Sequence, residues 1–167
     1  KYFSISVTDR PSIDDFLVTI TPPSYTRLKK ESQKANQAQI QAIKGSTIKV
    51  QLKSNRDLAS AELIFDEGVE EMKVKNKRAE FEFVANLNQK FSINLKDKRG
   101  VRNKNPIPFN IQIINDISPK MTIIQPQPII ELGNNQEIPI LMSIQDDFGF
   151  SNLQLSYELQ RPKYIQA

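Results

Sequence analysis

The sequence contains no cysteine, no histidine and no tryptophan. Without cysteine there is no disulfide framework and no thiol nucleophile. Without cysteine and histidine together there is no zinc site of the usual donor set and no imidazole acid or base. Little catalytic chemistry is left, so the chain is expected not to be an enzyme and to need neither metal nor cofactor. No apolar run approaches the roughly 18 residues of a membrane span. The opening residues Lys1 to Val7 alternate in polarity rather than forming a basic segment followed by an apolar core. These residues are therefore expected to be soluble, to carry no targeting signal of their own, and to meet a membrane only through segments outside them. Glycine is also scarce, 5 residues against 10 prolines.

What is present points to β structure. Hydrophobic residues make up 38% of the 167 and charged residues 25%, too apolar a mixture for disorder. Ile, Val, Phe and Thr recur in short alternating runs bounded by Pro, Asn, Asp and Gly. Phe3, Ile5 and Val7 form a first run, closed by Pro11, which can donate no ladder hydrogen bond. Phe16 to Thr21 gives a second, stopped by Pro22 and Pro23, and Gln39 to Lys44 alternates weakly before a turn at Gly45. Ile48, Val50 and Leu52 follow, then Ala61, Leu63 and Phe65, then Met72 and Val74, then Ala79, Phe81 and Phe83. Phe91, Ile93 and Leu95, and last Phe109, Ile111 and Ile113, complete the set. Each run buries one face and wets the other, and Val50, Leu63, Phe81 and Ile93 are expected in one core. Lys29 to Gln41 holds good helix formers but no apolar stripe at helical spacing, which predicts a long polar loop with at most a turn of helix.

The pattern also repeats. Ile48, Val50 and Leu52 match Ile138, Ile140 and Met142 at an offset of 90 residues, and Ala61, Leu63 and Phe65 match Leu153, Leu155 and Tyr157 at an offset of 92. Val18 to Ile20 before a proline pair matches Met121 to Ile123 before Pro126 at an offset of 103. Tandem modules of about 100 residues, the size of an immunoglobulin-like or fibronectin-like β-sandwich, account for these echoes. A single irregular β domain is the alternative. On the tandem reading, residues 1–13 are the last strand of a preceding module and a linker. Residues 14–116 are one complete sandwich with strands A to G, and residues 117–167 are the N-terminal half of a following module. That half would leave Ile123, Ile138, Ile140, Met142, Leu153 and Leu155 without a second sheet. The expectation is that the protein continues beyond Ala167, or that two copies exchange strands to close it. The core cysteine pair and tryptophan of antibody domains are missing, so aliphatic and Phe packing must hold the sandwich.

The run Asp146, Asp147, Phe148, Gly149, Phe150, Ser151, Asn152, Leu153, with Pro23 to Thr26 and Ile43 to Thr47 earlier, resembles a group of large bacterial cell-envelope proteins. Those proteins are anchored by N-terminal membrane helices and carry extracytoplasmic Ig-like modules with a D-D-[FY]-G turn between strands B and C. The resemblance spans most of residues 14–157. It implies an extracytoplasmic location, in the periplasm or at the cell surface, and a scaffold role, and it brings no catalytic residues. Asp147, Phe148 and Gly149 also spell the DFG of protein kinases, but no phosphate loop or His-Arg-Asp accompanies them. Asp146 and Asp147 read as turn-capping carboxylates in preference to calcium ligands, and Gly149 as the residue that supplies a positive φ.

Charge is distributed unevenly. Residues 1–116 hold 20 bases against 14 acids, whereas residues 117–167 hold three bases against five acids. In an up-and-down sandwich the B–C, D–E and F–G loops gather at one end. They carry Lys53 and Arg56, then Lys75, Lys77 and Arg78, then Lys98, Arg99, Arg102 and Lys104, with Asp14 and Asp15 as local counter-charges. The C–D segment Asp66 to Glu71 should lie at the opposite end, making the module electrically polar. The candidate binding residues are therefore Arg56, Lys75, Lys77, Arg78, Lys98, Arg99 and Arg102. They can serve an acidic glycan or a partner protein, or can simply be solvated or covered by a neighbouring module. Nucleic acid is not expected, because no aromatic platform interleaves with the charges. The favoured function is a non-catalytic scaffold whose partners are other envelope proteins or neighbouring modules of the same chain. A glycan- or anion-binding module and an accessory domain of a larger enzyme are the alternatives.

Overall fold

The structure is a computed structural model that describes residues 9–34, 38–131, 134, 137–150, 152–158 and 160. The expected strand at Phe3 to Val7 lies outside the described residues, as does Ser151 of the DDFG run. The chain divides into two compact units, Lys1–Asp116 and Ile117–Ala167.

The larger unit is built from β strands: β1 (Ile13–Thr21), β2 (Glu31–Lys34), β3 (Gln39–Ile43), β4 (Ser46–Ser54), β5 (Leu58–Phe65), β6 (Gly68–Glu71), β7 (Lys73–Lys75), β8 (Arg78–Ala85), β9 (Gln89–Asp97) and β10 (Phe109–Ile114). They form two five-stranded sheets, one in the order β2-β1-β4-β8-β7 and the other β3-β10-β9-β5-β6. In the first sheet Phe16, Val18 and Ile20 stand opposite Leu52, Val50 and Ile48, which in turn stand opposite Ala79, Phe81 and Phe83. In the second, Ala61, Leu63 and Phe65 stand opposite Leu95, Ile93 and Phe91. The period of two therefore sends one apolar face of each sheet inward, as the alternation requires. Phe16 from one sheet stacks on Phe109 from the other with ring centroids 4.6 Å apart, and Phe91 stacks on Phe109 at 5.1 Å. Phe65 and Phe83 meet edge to face across the same interior at 5.3 Å.

Several expectations are corrected. Lys29 to Gln41 is not simply a loop: Glu31–Lys34 pairs antiparallel with β1, whereas the weak alternation of Gln39 to Lys44 does form a strand, Gln39–Ile43, which pairs parallel with β10. A polar sequence can form β2 because it is an edge strand: β1 takes one row of its backbone groups, and Glu31 and Ser32 are exposed. Phe81 is only half-buried against the core, whereas Val50, Leu63 and Ile93 are fully enclosed. Met72 is buried but belongs to no strand; it lies where the chain leaves β6 in one sheet for β7 in the other. Gly68 to Glu71, read as part of a loop, is the edge strand β6 beside β5.

Turns follow local chemistry. Pro22 and Pro23 end β1, and a short 3₁₀ turn over Ser24–Thr26 is held by the Thr26 hydroxyl donating to the Pro23 carbonyl at 2.8 Å. Gly45 adopts φ +84°, a region that favours glycine, where the chain passes from β3 in one sheet to β4 in the other.

In the smaller unit, β11 (Lys120–Gln125) pairs antiparallel with β12 (Leu141–Gln145). The expected third strand is not formed: Leu153, Leu155 and Tyr157 lie outside any strand and are 58%, 62% and 84% exposed. Ile138 and Ile140 precede β12 instead of lying in it, and Ile123 is exposed. Among the described residues of this unit β11 and β12 form a two-stranded sheet, which is marginal by itself. Asp146 does cap the turn, accepting from the Phe148 N–H at 3.1 Å, and Gly149 has φ +80°.

Candidate functional site

The loops expected to share one end of the sandwich do so. β4 and β5 are joined by Asn55 to Asp57, β7 and β8 by Asn76 and Lys77, and β9 and β10 by a longer loop beginning at Lys98. Backbone hydrogen bonds tie the three together: Ser54 N–H to the Lys77 carbonyl at 2.7 Å, Leu58 N–H to Asn76 at 2.9 Å, and Lys98 N–H to Asp57 at 3.2 Å. Lys75, Asn76, Lys77 and Arg78 form a two-residue hairpin, with Asn76 at φ 55° as such turns demand.

Asp97 organises the third loop. Its side chain is 2% exposed and ends β9. One carboxylate oxygen accepts from the N–H groups of Arg99 and Val101, each at 2.9 Å, and the other accepts from the Arg99 guanidinium at 2.7 and 3.0 Å. Burial pushes the Asp97 carboxyl up. The Arg99 side chain, the amides of Val101 and Arg99 and the Arg99 charge pull it the other way and win, so it sits below the usual aspartate value. Gly100 takes φ +85° to close the loop, and Asn103 clips it to β9 through the Leu95 N–H at 2.9 Å and the Ile93 carbonyl at 2.8 Å.

The incoming chain lies across this end. Asn55 accepts from the Ser12 N–H at 2.9 Å and donates to the Arg10 carbonyl at 3.3 Å, while its own N–H donates to Ser12 at 3.2 Å. Arg56 pairs with the Asp9 carboxylate at 2.9 Å, and Arg99 donates to the Asp9 carbonyl at 3.0 Å. Arg10 donates to the Arg102 carbonyl at 3.2 Å, and Pro11 is buried.

The seven candidate cations thus separate into groups. Arg56 and Arg99 hold residues 9–12, and Arg102 does so through its backbone while its side chain borders the outer face of β5 and β9 beside Glu62 and Asn94. Lys75, Lys77 and Arg78 instead line an open depression with Lys53, Asn76 and Asp57. The Lys98 side chain is exposed at the rim. Asp15 stands opposite Lys53 in the β1–β4 register, but among the described residues the carboxylates that form ion pairs at this end are Asp9 and Asp97. At the far end Asp66 and Lys90 line one shallow depression, so that end carries a base as well as its acids.

Sequence reasoning missed Asp97, Asn55 and Asn103, the residues that do the positioning. The signal available for Asp97 was an Asp at the end of an alternating run three residues before a Gly, a spacing suited to a carboxylate-capped turn. Asn55 and Asn103 had no such signal, since their partners are 43 and 8 to 10 residues away. Comparisons with protein-family models, with curated proteins and with solved structures give no match to this chain.

Proposed function

We propose that the larger unit is an immunoglobulin-like module of a non-catalytic array, which acts as a spacer or protein-interaction scaffold outside the cytoplasm in a bacterial cell envelope. The sheet orders support the fold reading. β1-β4-β8-β7 corresponds to strands A, B, E and D, and β10-β9-β5 to G, F and C, with β6 extending the second sheet beyond C. The observation that carries the role is the seating of residues 9–12. A chain that enters through Asn55, Arg56 and Arg99 enters in a fixed direction, which suits a module connected in series and is of no use to a freely tumbling domain. The second unit begins at Ile117, directly after β10 ends at Ile114, so the exit is short as well. Location in the envelope rests on the resemblance around Asp146 to Leu153 and Pro23 to Thr47.

Protease accessibility in cells of the source organism tests the reading. An epitope placed in the exposed Asp66–Glu67 turn should be cleaved in intact or osmotically shocked cells while a cytoplasmic marker survives. Protection until the inner membrane is lysed would overturn the extracytoplasmic scaffold.

A further inference from the structure

The outer face of the first sheet carries its charges in rows, and one row differs from the rest. Across β4, β8 and β7, Lys53 stands directly opposite Arg78, and Arg78 directly opposite Lys75. All three are exposed, as is Lys77 in the adjoining turn. Residues opposite one another on adjacent strands share a face, and like charges so placed repel. Farther along the same face the charges are matched. Lys49 pairs with Glu80 at 3.1 Å, and Gln51 donates to the same carboxylate at 3.2 Å. In the end row the acids nearby are Asp15, opposite Lys53, and Asp57 in the depression. The ion pairs among the described residues leave Lys53, Lys75, Lys77 and Arg78 out, and the entering chain is bound by other cations.

We propose that this row is a binding site for an acidic polysaccharide, with Lys53, Arg78 and Lys75 each taking one carboxylate and Lys77 closing the depression at its end. Adjacent strands lie about 4.8 Å apart, so the cations form a line with a spacing of the order of one sugar repeat in an extended chain. A polymer with one acid per sugar matches that line in charge and in period. The residues lining the depression include no aromatic side chain on which a base would stack, which disfavours single-stranded nucleic acid. The inference does not rest on the scaffold reading and stands or falls separately.

The test is titration of residues 1–167 with polygalacturonate at low salt, with neutral dextran, polyphosphate and duplex DNA as comparators. The wild-type chain should bind polygalacturonate and not dextran. The triple variant Lys53→Gln, Lys75→Gln, Arg78→Gln should weaken binding about tenfold or more and lower the salt dependence by about two in log–log slope, the loss expected for three ionic contacts. A control triple at other surface positions, Lys29→Gln, Lys30→Gln, Lys90→Gln, makes the same change in net charge and should alter affinity by less than about twofold. Thermal unfolding checks that both triples are folded, and Lys77→Gln alone gives a milder variant of the same site. Absence of wild-type binding, equal loss in the control triple, or polyphosphate or DNA bound as tightly through the same residues would each overturn the proposal.

Discussion

Asp97 is the residue that sets the geometry of the basic end, and its chemistry makes a pH-dependent prediction. Its folded-state carboxyl titrates below the value it has in the unfolded chain, near 3.9 for an ordinary Asp. The stability it confers is therefore fully present above that value and is lost as pH falls through the folded one. Urea denaturation from neutral pH down into the acid range should show Asp97→Asn losing less stability on acidification than the wild type. At neutral pH the variant should be the less stable of the two; identical profiles would remove Asp97 from this role. Leu63, fully enclosed in the second sheet, supplies the reference for the core. Leu63→Ala should cost about 2–5 kcal/mol in urea melts. Phe81→Ala should cost less, because Phe81 is only partly buried against the core and less of its surface is withdrawn from water on folding.

At the scale of elements, strands with regular alternation were legible. Phe16 to Ile20, Ile48 to Leu52 and Phe91 to Leu95 each declare an inner face by period alone, and all three occupy the strands that alternation assigns. Edge elements were not legible in the same way, because an edge strand is specified by its neighbour's open backbone groups and not by its own side chains. Glu31–Lys34 has no apolar member at all, whereas Gln39–Ile43 showed only as a weak alternation whose partner strand spacing alone does not identify. The basic loops were legible as charge, whereas their division into cations that hold the entering chain and cations outside the ion pairs of the described residues depends on contacts across up to 92 residues of sequence. Ile40 tests the β3 assignment directly: it is fully buried opposite Ile111, so Ile40→Ala should destabilise by about 2–5 kcal/mol, as a core position and not a loop position would. The cation row predicts the opposite sign. Arg78→Gln relieves repulsion from both Lys53 and Lys75 and should stabilise the fold by about 0.2–1 kcal/mol at low salt, an effect that added salt erases.

For the whole molecule, the seating of residues 9–12 is the property that a single contact can report. The Ser12 amide, just ahead of β1, donates to the Asn55 side chain, so Asn55→Ala should accelerate hydrogen exchange at Ser12 while amides in the middle of β9 keep their protection. Exchange at Ser12 unchanged by the substitution would show that Asn55 does not hold the entering chain. The same arrangement has a mechanical consequence. The chain enters β1 at the end where Asn55 lies, and β10 runs toward the opposite end, where the Ile114 carbonyl receives the Lys44 N–H. Tension applied through Ser12 and Asp116 is thus directed along β1 and β10, at right angles to the antiparallel hydrogen bonds of β1 with β4. Those bonds bear the load together in shear instead of parting one after another like a zipper. Because β1 and β10 belong to different sheets, the pull must cross the packed core between them, where Phe16 stacks on Phe109.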